Sequence, residues 1–289
     1  LPPDFLVIGH VTHDLVDGET RDGGTATYAA AVAARLGLDV AILTSAADDY
    51  VPPRALDGVA IHRVPAPTTT LMRHVWRGRE RDQYLLQCAA TLTARDVPDD
   101  VRGARVVLIG PVCGEVDADV ATAFPDALVG ATPQGWLRRF TEDGRMEQID
   151  AAAWDPAPLL HRVRAAILSE EDIVSADPEA VLRDWARLVP ILAITNGDEG
   201  ARIAERGRWG RIAAFPARQS DGTGAGDTFA AGFLIGYHET GDAAEAARFA
   251  AAASAIVIEA PGVEGAPDRA QIAARIEASP DVRLRPDTD

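Results

Sequence analysis

Asp221-Gly222-Thr223-Gly224-Ala225-Gly226-Asp227-Thr228-Phe229 is the stretch that decides how the rest of the chain is read. Three glycines in five positions do not serve packing, because glycine fills no core and loses the most conformational entropy on ordering. After Asp227 the text becomes Thr-Phe-Ala-Ala-Gly-Phe-Leu-Ile-Gly-Tyr, which predicts an apolar, buried helix. A flexible turn that feeds a helix N-terminus offers unpaired backbone N–H groups and the positive end of the helix dipole. Together these make an anion site. Asp227 could be an ordinary cap of that helix, but a cap does not require flanking glycines. A transferring phosphate on the N–H groups of Gly224, Ala225 and Gly226 accounts for them. Asp227 then stands beside it to take a proton from an attacking hydroxyl.

Composition narrows the classes. The chain has 289 residues, 47% of them hydrophobic, as expected of a globular protein with a sizeable core. A net charge of −16 argues against nucleic acid and against anionic membrane surfaces as partners. No apolar run approaches the roughly 20 residues of a membrane span, and no signal-peptide pattern opens the chain. The start at Leu1 reads as a trimmed methionine or leader. The expected location is cytoplasmic. Cys88 and Cys113 lack metal spacing and form no disulfide framework, so reduced thiols are expected. The sequence contains no lysine. That excludes a P-loop lysine, the strand lysine of protein kinases and Schiff-base chemistry.

The Asp221–Phe229 stretch resembles the C-terminal signature of the PfkB (ribokinase-like) family of small-molecule kinases, with Gly222 in place of a threonine. The resemblance implies a three-layer α/β sandwich with a mainly parallel central sheet and a small, reduced β-lid. It implies one domain over residues 1–289, with lid segments at about 15–22 and 60–87 inserted in it. It also implies ATP and Mg²⁺ as cofactors, a small-molecule hydroxyl acceptor (a sugar, polyol or nucleoside) and Asp227 as general base. Relatives of this kind also use a monovalent cation such as K⁺ near the turn, for which Asp221 is the candidate here, and pair as homodimers through their lids.

Taken in order, Phe5-Leu-Val-Ile-Gly9 predicts a buried strand. By the resemblance, Asp14, five residues after Gly9, binds acceptor hydroxyls; a carboxylate can accept from two vicinal hydroxyls at once. His10 and His13 read as solvated loop histidines rather than metal ligands. A tight hairpin is expected around Asp17-Gly18. Gly23 and Gly24 resemble the family's diglycine in the acceptor site, and Tyr28 replaces an asparagine, which points away from an ordinary ribose or fructose. Thr27 to Gly37 predicts a helix stopped by glycine. Residues 40–44 and 59–64 predict strands, and 70–85 a hairpin around Gly78. Its arginines (Arg73, Arg77, Arg79, Arg81) read as a solvated face.

Strands are expected at 105–111 and 127–136, the second ending where α/β ligands lie. Gln134 and Arg138 are acceptor-contact candidates. The text Gln134-Gly-Trp-Leu-Arg138, together with Gly9-His-Val-Thr-His-Asp14, is similar to the myo-inositol kinase branch of the family. Ser169-Glu-Glu-Asp172 occupies the place of the family's Asn-X-X-Glu, making Asp172 and Glu171 candidates to support Mg²⁺, a hard cation that takes oxygen ligands. A capped acidic helix start is the plainer reading of the same residues. Thr195-Asn-Gly197-Asp-Glu-Gly200 resembles the nucleotide-side loop. Residues 243–258 predict an alanine-rich helix along the adenine pocket, with Ala253 as its contact and Thr223 as a further nucleotide contact. A different class also fits: a non-catalytic ligand-binding or regulatory protein that keeps the fold. The two asparagines replaced by Tyr28 and Ser169 support it, whereas Asp227 among its glycines does not.

Overall fold

The computed structural model describes residues 1–77 and 80–287. The first strands in the chain are β1 (Phe5–Ile8), β2 (Thr12–Val16), β3 (Glu19–Gly23), β4 (Val40–Ala46) and β5 (Ala60–Pro65). Next come β6 (Thr70–Arg77), β7 (Glu80–Gln87), β8 (Val106–Ile109), β9 (Leu128–Ala131), β10 (Arg138–Phe140) and β11 (Met146–Gln148). The remainder are β12 (Ala165–Ser169), β13 (Ile191–Thr195), β14 (Ala201–Glu205), β15 (Arg208–Ile212) and β16 (Arg285–Pro286). The α-helices are α1 (Thr25–Arg35), α2 (Ala157–Leu160), α3 (Pro178–Leu188), α4 (Ala225–Thr240), α5 (Ala243–Val257) and α6 (Arg269–Ala278).

Four consecutive apolar residues in β1 and β8, all buried, leave no polar face for solvent. Such strands belong in the middle of a parallel sheet covered on both sides. Among the described residues the main sheet has ten strands in the order β16-β15-β14-β13-β12-β9-β8-β1-β4-β5. The pairs from β13 across to β5 run parallel, and the pairs from β13 to β16 are antiparallel. Alternate residues of β1 feed opposite layers. Phe5 and Val7 join the core with α1, α4 and α5, while Leu6 and Ile8 join the core with α2 and α3. This is the period-2 geometry of a strand, used on both faces.

The helical layer over the site is built close. On α4, a Cβ added at Gly232 or Gly236 would stand 3.2 Å from the Cα of Ala250 or Ala246 on α5. Small residues on both helices therefore let the two backbones approach. At Gly130 of β9 the missing side chain leaves room for Leu234 of α4. These contacts seat α4 on the sheet with its N-terminus at the carboxyl ends of β12 and β13, the crevice where α/β folds hold ligands.

A second sheet, β3-β2-β6-β7, lies over that crevice. Asp17 and Gly18 both take positive φ, as a tight hairpin between β2 and β3 requires. Strand β2 pairs with β6 in parallel, placing Asp14 opposite Met72. The turn expected at Gly78 lies outside the described residues, as do Arg79 and the side chain of Arg77. One expectation is corrected: residues 60–65, assigned to the lid, form β5 at the edge of the main sheet. Their half-buried, apolar–polar alternation suits an edge as well as a lid, so the pattern alone did not separate the two.

Candidate active site

Asp221 shapes the glycine turn: its Oδ1 accepts from the N–H of Thr223 at 2.9 Å and its Oδ2 from that of Gly262 at 3.4 Å. Burial raises its carboxyl, but these bonds and Arg21 outweigh it, so the group is held below the usual range. Gly224 has φ of 78°, a left-handed conformation that glycine adopts without penalty. It has a second reason to be glycine. A Cβ there would stand 2.1 Å from the ring of Tyr28. At Gly226 the corresponding position faces open space. The Ala225 N–H makes a long bond to Gly222 at 3.4 Å. The turn thus points its backbone at a cavity, as expected of an anion cradle at a helix start.

Asp227 follows in the first turn of α4. Burial pushes its carboxyl above the usual range, and the nearby charges of Asp14 and Asp172 push the same way. A hydrogen bond from Thr25 and the charge of Arg138 oppose that rise. The Thr25 hydroxyl is itself held by Gln134, whose Nε2 donates to it at 3.0 Å. Gln134 Oε1 accepts from Arg138 Nη2 at 3.0 Å, and Arg138 Nη1 donates to the carbonyl of Val112 at 3.1 Å. Arg138, Gln134 and Thr25 form a chain that ends on Asp227. Each end of the Gln134 amide makes one bond in this chain while the residue also lines the smaller cavity, so it orients the site and keeps one N–H and one lone pair toward that cavity's occupant.

A cavity of about 220 Å³ opens beside this chain, lined on its far side by Asp14, Tyr28, Met72, His74, Arg81 and Gln83. Asp14 is buried; its Oδ1 accepts from the Thr12 hydroxyl at 2.8 Å and its Oδ2 lies 3.4 Å from His74 Nε2. A Cβ at Gly23 would overlap Asp14 Oδ2 at 2.1 Å, and one at Gly24 would stand 2.4 Å from the His10 carbonyl. The diglycine therefore makes room for the carboxylate and for the start of α1. Burial raises the phenol of Tyr28, and the charges of Asp221, Asp227 and Asp14 add to that, so it stays a neutral donor.

Across the turn lies a larger cavity of about 590 Å³, lined by Thr195, Gly197, Gly200, Phe215, Pro216 and the α5 residues Ala251, Ser254 and Ala255, with Ile258 beyond. Gly200 has φ of 96°, and a Cβ would stand 2.1 Å from the carbonyl of Ile212. Two expectations are corrected here. Ala253 is fully buried against Gly232, one helical position away from the cavity face. Thr223 lines the smaller cavity and a cleft under the lid, bounded by Arg21, Trp76, Arg81 and Asp221, rather than this one.

The three acids expected to serve cations are separated. Glu171 borders both cavities and Asp172 the smaller one, while Asp221 lines the lid cleft on the other side of the turn. Asp172 closes a capping box with Ser169, its Oδ2 accepting from that residue's N–H at 3.1 Å. The expected capped helix start is thus present as a single 3₁₀ turn. Glu171, which borders both cavities, and Asp172, on the smaller one, offer hard carboxylate oxygens, a donor set that fits Mg²⁺.

Some site residues were missed from sequence. His74 and Gln83 come from the lid, joined by Gln83 Nε2 at 3.2 Å from His74 Nδ1. Arg81, read as part of a solvated face, lines both the smaller cavity and the lid cleft. The alternation of 70–85 was the available signal, since it put these residues on one face. His10, expected to be solvated, is fully buried beneath the lid, and His13 is half-buried beside Asp22.

Residues 164–269 match the family model described as pfkB family carbohydrate kinase. An inositol 3-kinase of Oryza sativa subsp. japonica is 28% identical over 262 residues, covering 80% of this chain and 62% of that protein. The chain spans between 40% and 62% of the inositol 3-kinases of Zea mays and rice that it matches. Among solved structures, a pyrophosphate-dependent myo-inositol-1 kinase converted into a myo-inositol-3 kinase superposes with a TM-score of 0.78 at 23% identity, covering 95% of this chain and 99% of that one. The ribokinase of Arabidopsis thaliana, complexed with ribose and ATP, superposes with a TM-score of 0.74 at 19% identity, covering 96% and 99%. The matched segment contains both the Thr195–Gly200 loop and the Asp221–Phe229 turn; over that segment the chain is similar to the pfkB family of carbohydrate kinases, and the fold around it is that of ribokinase.

Proposed function

We propose that the chain is a phosphotransferase that moves the γ-phosphate of ATP to a hydroxyl of a small polyol or sugar, with Asp227 as general base. One observation carries this reading: the glycine turn is the wall between two cavities. Ala225 and Gly226 border both, and Asp227 faces the smaller. A phosphate held on the turn is thus reached from the donor side, while a hydroxyl reaches it from the acceptor side.

In the step, the acceptor oxygen forms a bond to the γ-phosphorus, the bond from that phosphorus to the β-bridging oxygen breaks, and ADP leaves. The hydroxyl proton passes to Asp227. Its buried carboxylate is a stronger base than an exposed one. Backbone N–H groups of the turn and Arg138 meet charge developing on the phosphoryl oxygens. Glu171 and Asp172 would hold Mg²⁺, which when bound neutralises the donor phosphates.

The acceptor cavity is small, below the roughly 300 Å³ at which ligand pockets commonly begin, and its floor is Asp14 with Thr12 and His74. That suits one hydroxyl-rich ring, and likeness to inositol 3-kinases puts myo-inositol first among the candidates. On the donor side, likeness to a pyrophosphate-dependent kinase raises a second reading. Pyrophosphate needs only the turn. The apolar wall of Phe215, Pro216, Ala251 and Ala255 extends well beyond it and suits a base, which favours a nucleotide.

The test is product formation from Mg-ATP, and separately from Mg-pyrophosphate, across myo-inositol, ribose, fructose and cytidine. The expected result is turnover with ATP on one acceptor, and a loss of about 10³-fold in kcat for Asp227→Asn with ATP binding retained. Asp227→Asn at the wild-type rate would remove the proposed base. Turnover with pyrophosphate alone would replace the donor. ATP binding without turnover of any acceptor would favour the non-catalytic reading.

A further inference from the structure

Beneath the lid, outside the chemistry proposed above, the structure brings together His10, Cys88 and Cys113. Cys88 follows β7 and is exposed; Cys113 lies in the loop after β8 and is half-buried. Their sulfurs are 3.6 Å apart. These three side chains have the composition of a soft-metal site, but the imidazole does not suit one. His10 Nε2 lies 2.9 Å from the carbonyl of Ala90, which can only accept, so this nitrogen carries the proton. In the neutral ring Nδ1 is then an acceptor, and it takes a hydrogen bond from the Thr70 hydroxyl at 2.7 Å, whose oxygen also accepts from the Ala89 N–H at 3.0 Å. The ring's one lone pair is occupied, and a metal would have to displace a buried hydrogen bond to use it.

The two sulfurs are also unequal. A hydrogen bond from Cys113, with His10 close by, holds the Cys88 thiol well below its usual range, against the effect of burial. The same bond to Cys88, together with burial and the charge of Glu115, pushes Cys113 up. Glu115 is buried beneath it, its Oε2 accepting from the Cys113 N–H at 2.8 Å. The result is an exposed thiolate over a neutral thiol, the arrangement of an attacking and a resolving cysteine.

We propose that Cys88 and Cys113 are an oxidation site, converted by hydroperoxides into a disulfide that joins the end of β7 to the loop carrying Val112. The Cys88 thiolate attacks a peroxide oxygen; the O–O bond breaks, hydroxide leaves and takes a proton, and Cys88 becomes a sulfenic acid. The Cys113 sulfur then attacks the Cys88 sulfur; the S–S bond forms, the S–O bond breaks, and the thiol proton leaves with the oxygen as water. Two electrons pass from the two sulfurs to one peroxide, and a dithiol reductant returns them. Closure asks the sulfurs to approach by about 1.5 Å from the 3.6 Å observed. The bond ties together two parts of the acceptor cavity's lining, because β7 carries Arg81 and Gln83 to it and Val112 also lines it.

The experiment treats the reduced protein with one equivalent of hydrogen peroxide and follows intact mass, thiol titration and a peptide map. The expected result is a mass lower by about 2 Da, loss of both thiols and a peptide linking residues 88 and 113, all reversed by dithiothreitol. In Cys113→Ser the sulfenic acid on Cys88 persists and is trapped by a dimedone probe; in Cys88→Ser, Cys113 stays reduced. Hydrogen exchange of β6 and β7 slows on oxidation, a readout independent of any kinase assay. Both thiols surviving peroxide would overturn the proposal, as would over-oxidation of Cys88 with no link. Zinc titration supplies the remaining arm: one zinc bound per chain with both thiols shielded would make this a metal centre instead.

Discussion

The two sides of the proposed phosphoryl path are built differently. The phosphate side is one contiguous segment, Asp221 to Asp227, whose working groups are backbone N–H donors at the start of α4 and one carboxylate. The acceptor side is assembled from Thr12 and Asp14 on β2, Tyr28 on α1, His74 and Gln83 on the lid, and Gln134 and Arg138 beyond β9. A backbone site must be written locally, because its φ angles and missing Cβ atoms belong to consecutive residues. A side-chain site can draw on any strand that the sheet register brings alongside. The phosphate side should therefore fail as a unit when one backbone angle is disturbed, and the acceptor side should lose its contacts one at a time.

Gly224→Ala is the strongest way to break that contrast, because at this residue the two sides touch. Alanine would be strained at φ of 78°, and its Cβ would stand 2.1 Å from the Tyr28 ring. The expected loss in kcat/KM is about 10²- to 10³-fold, comparable to removing an oxyanion donor. Tyr28→Ala in the same background relieves the clash but not the backbone strain. Steady-state kinetics on the single and double variants separate the causes. Full rescue by Tyr28→Ala would assign the glycine to packing alone and end the claim that its backbone angle matters.

Asp14→Asn probes the acceptor side with a smaller expected effect. The carboxylate accepts from Thr12 and lies beside His74, so an amide keeps its shape but loses charge and one acceptor position. A fall of about 10- to 100-fold in kcat/KM for the acceptor, with the KM for ATP unchanged, matches the loss of one charge-assisted hydrogen bond. An equal rise in the KM for ATP would show that Asp14 serves both sides.

The same contrast explains what could be read from sequence. The parallel core showed in unbroken apolar runs such as Phe5–Ile8 and Val106–Ile109, since residues buried on both faces leave no polar alternation. The turn was legible because three glycines in five positions beside an aspartate point to a backbone site, although Gly224 also makes room for the Tyr28 ring. The sequence did not show which way an alanine-rich helix turns. With small apolar residues on nearly every side of α5, Ala253 and Ala255 look alike in the text, yet Ala255 lines the donor cavity and Ala253 packs inward on Gly232. Arg81 was unreadable for a similar reason. The alternation of the lid hairpin puts it on one face of the sheet, but only the pairing of β2 with β6 determines that this face looks onto Asp14. Residues 60–65 fell to the wrong sheet because a half-buried edge and a lid share one pattern.

Thr25→Val is the smallest and most specific test, because it acts on Asp227 without touching either ligand's charge. Burial holds the Asp227 carboxyl above the usual range, and the Thr25 hydroxyl opposes that by hydrogen-bonding to the ionised form. Removing the hydroxyl while keeping the shape therefore raises the carboxyl further. A general base works deprotonated, so the rate falls as pH drops through this group. In the variant that acid limb moves to higher pH, while the alkaline plateau changes by less than about threefold. Stability carries the same sign. Between the ordinary carboxylate value and the raised one, the native state binds more protons than the unfolded state, so this group's contribution is lost as pH rises through that window. The variant extends the window upward. The pH profile of kcat/KM and urea midpoints across the same pH range measure the two effects separately. A limb that stays in place while the midpoint falls uniformly would reduce Thr25 to a packing residue against Gly110, and would cut the chain from Arg138 off from the base it is argued to tune.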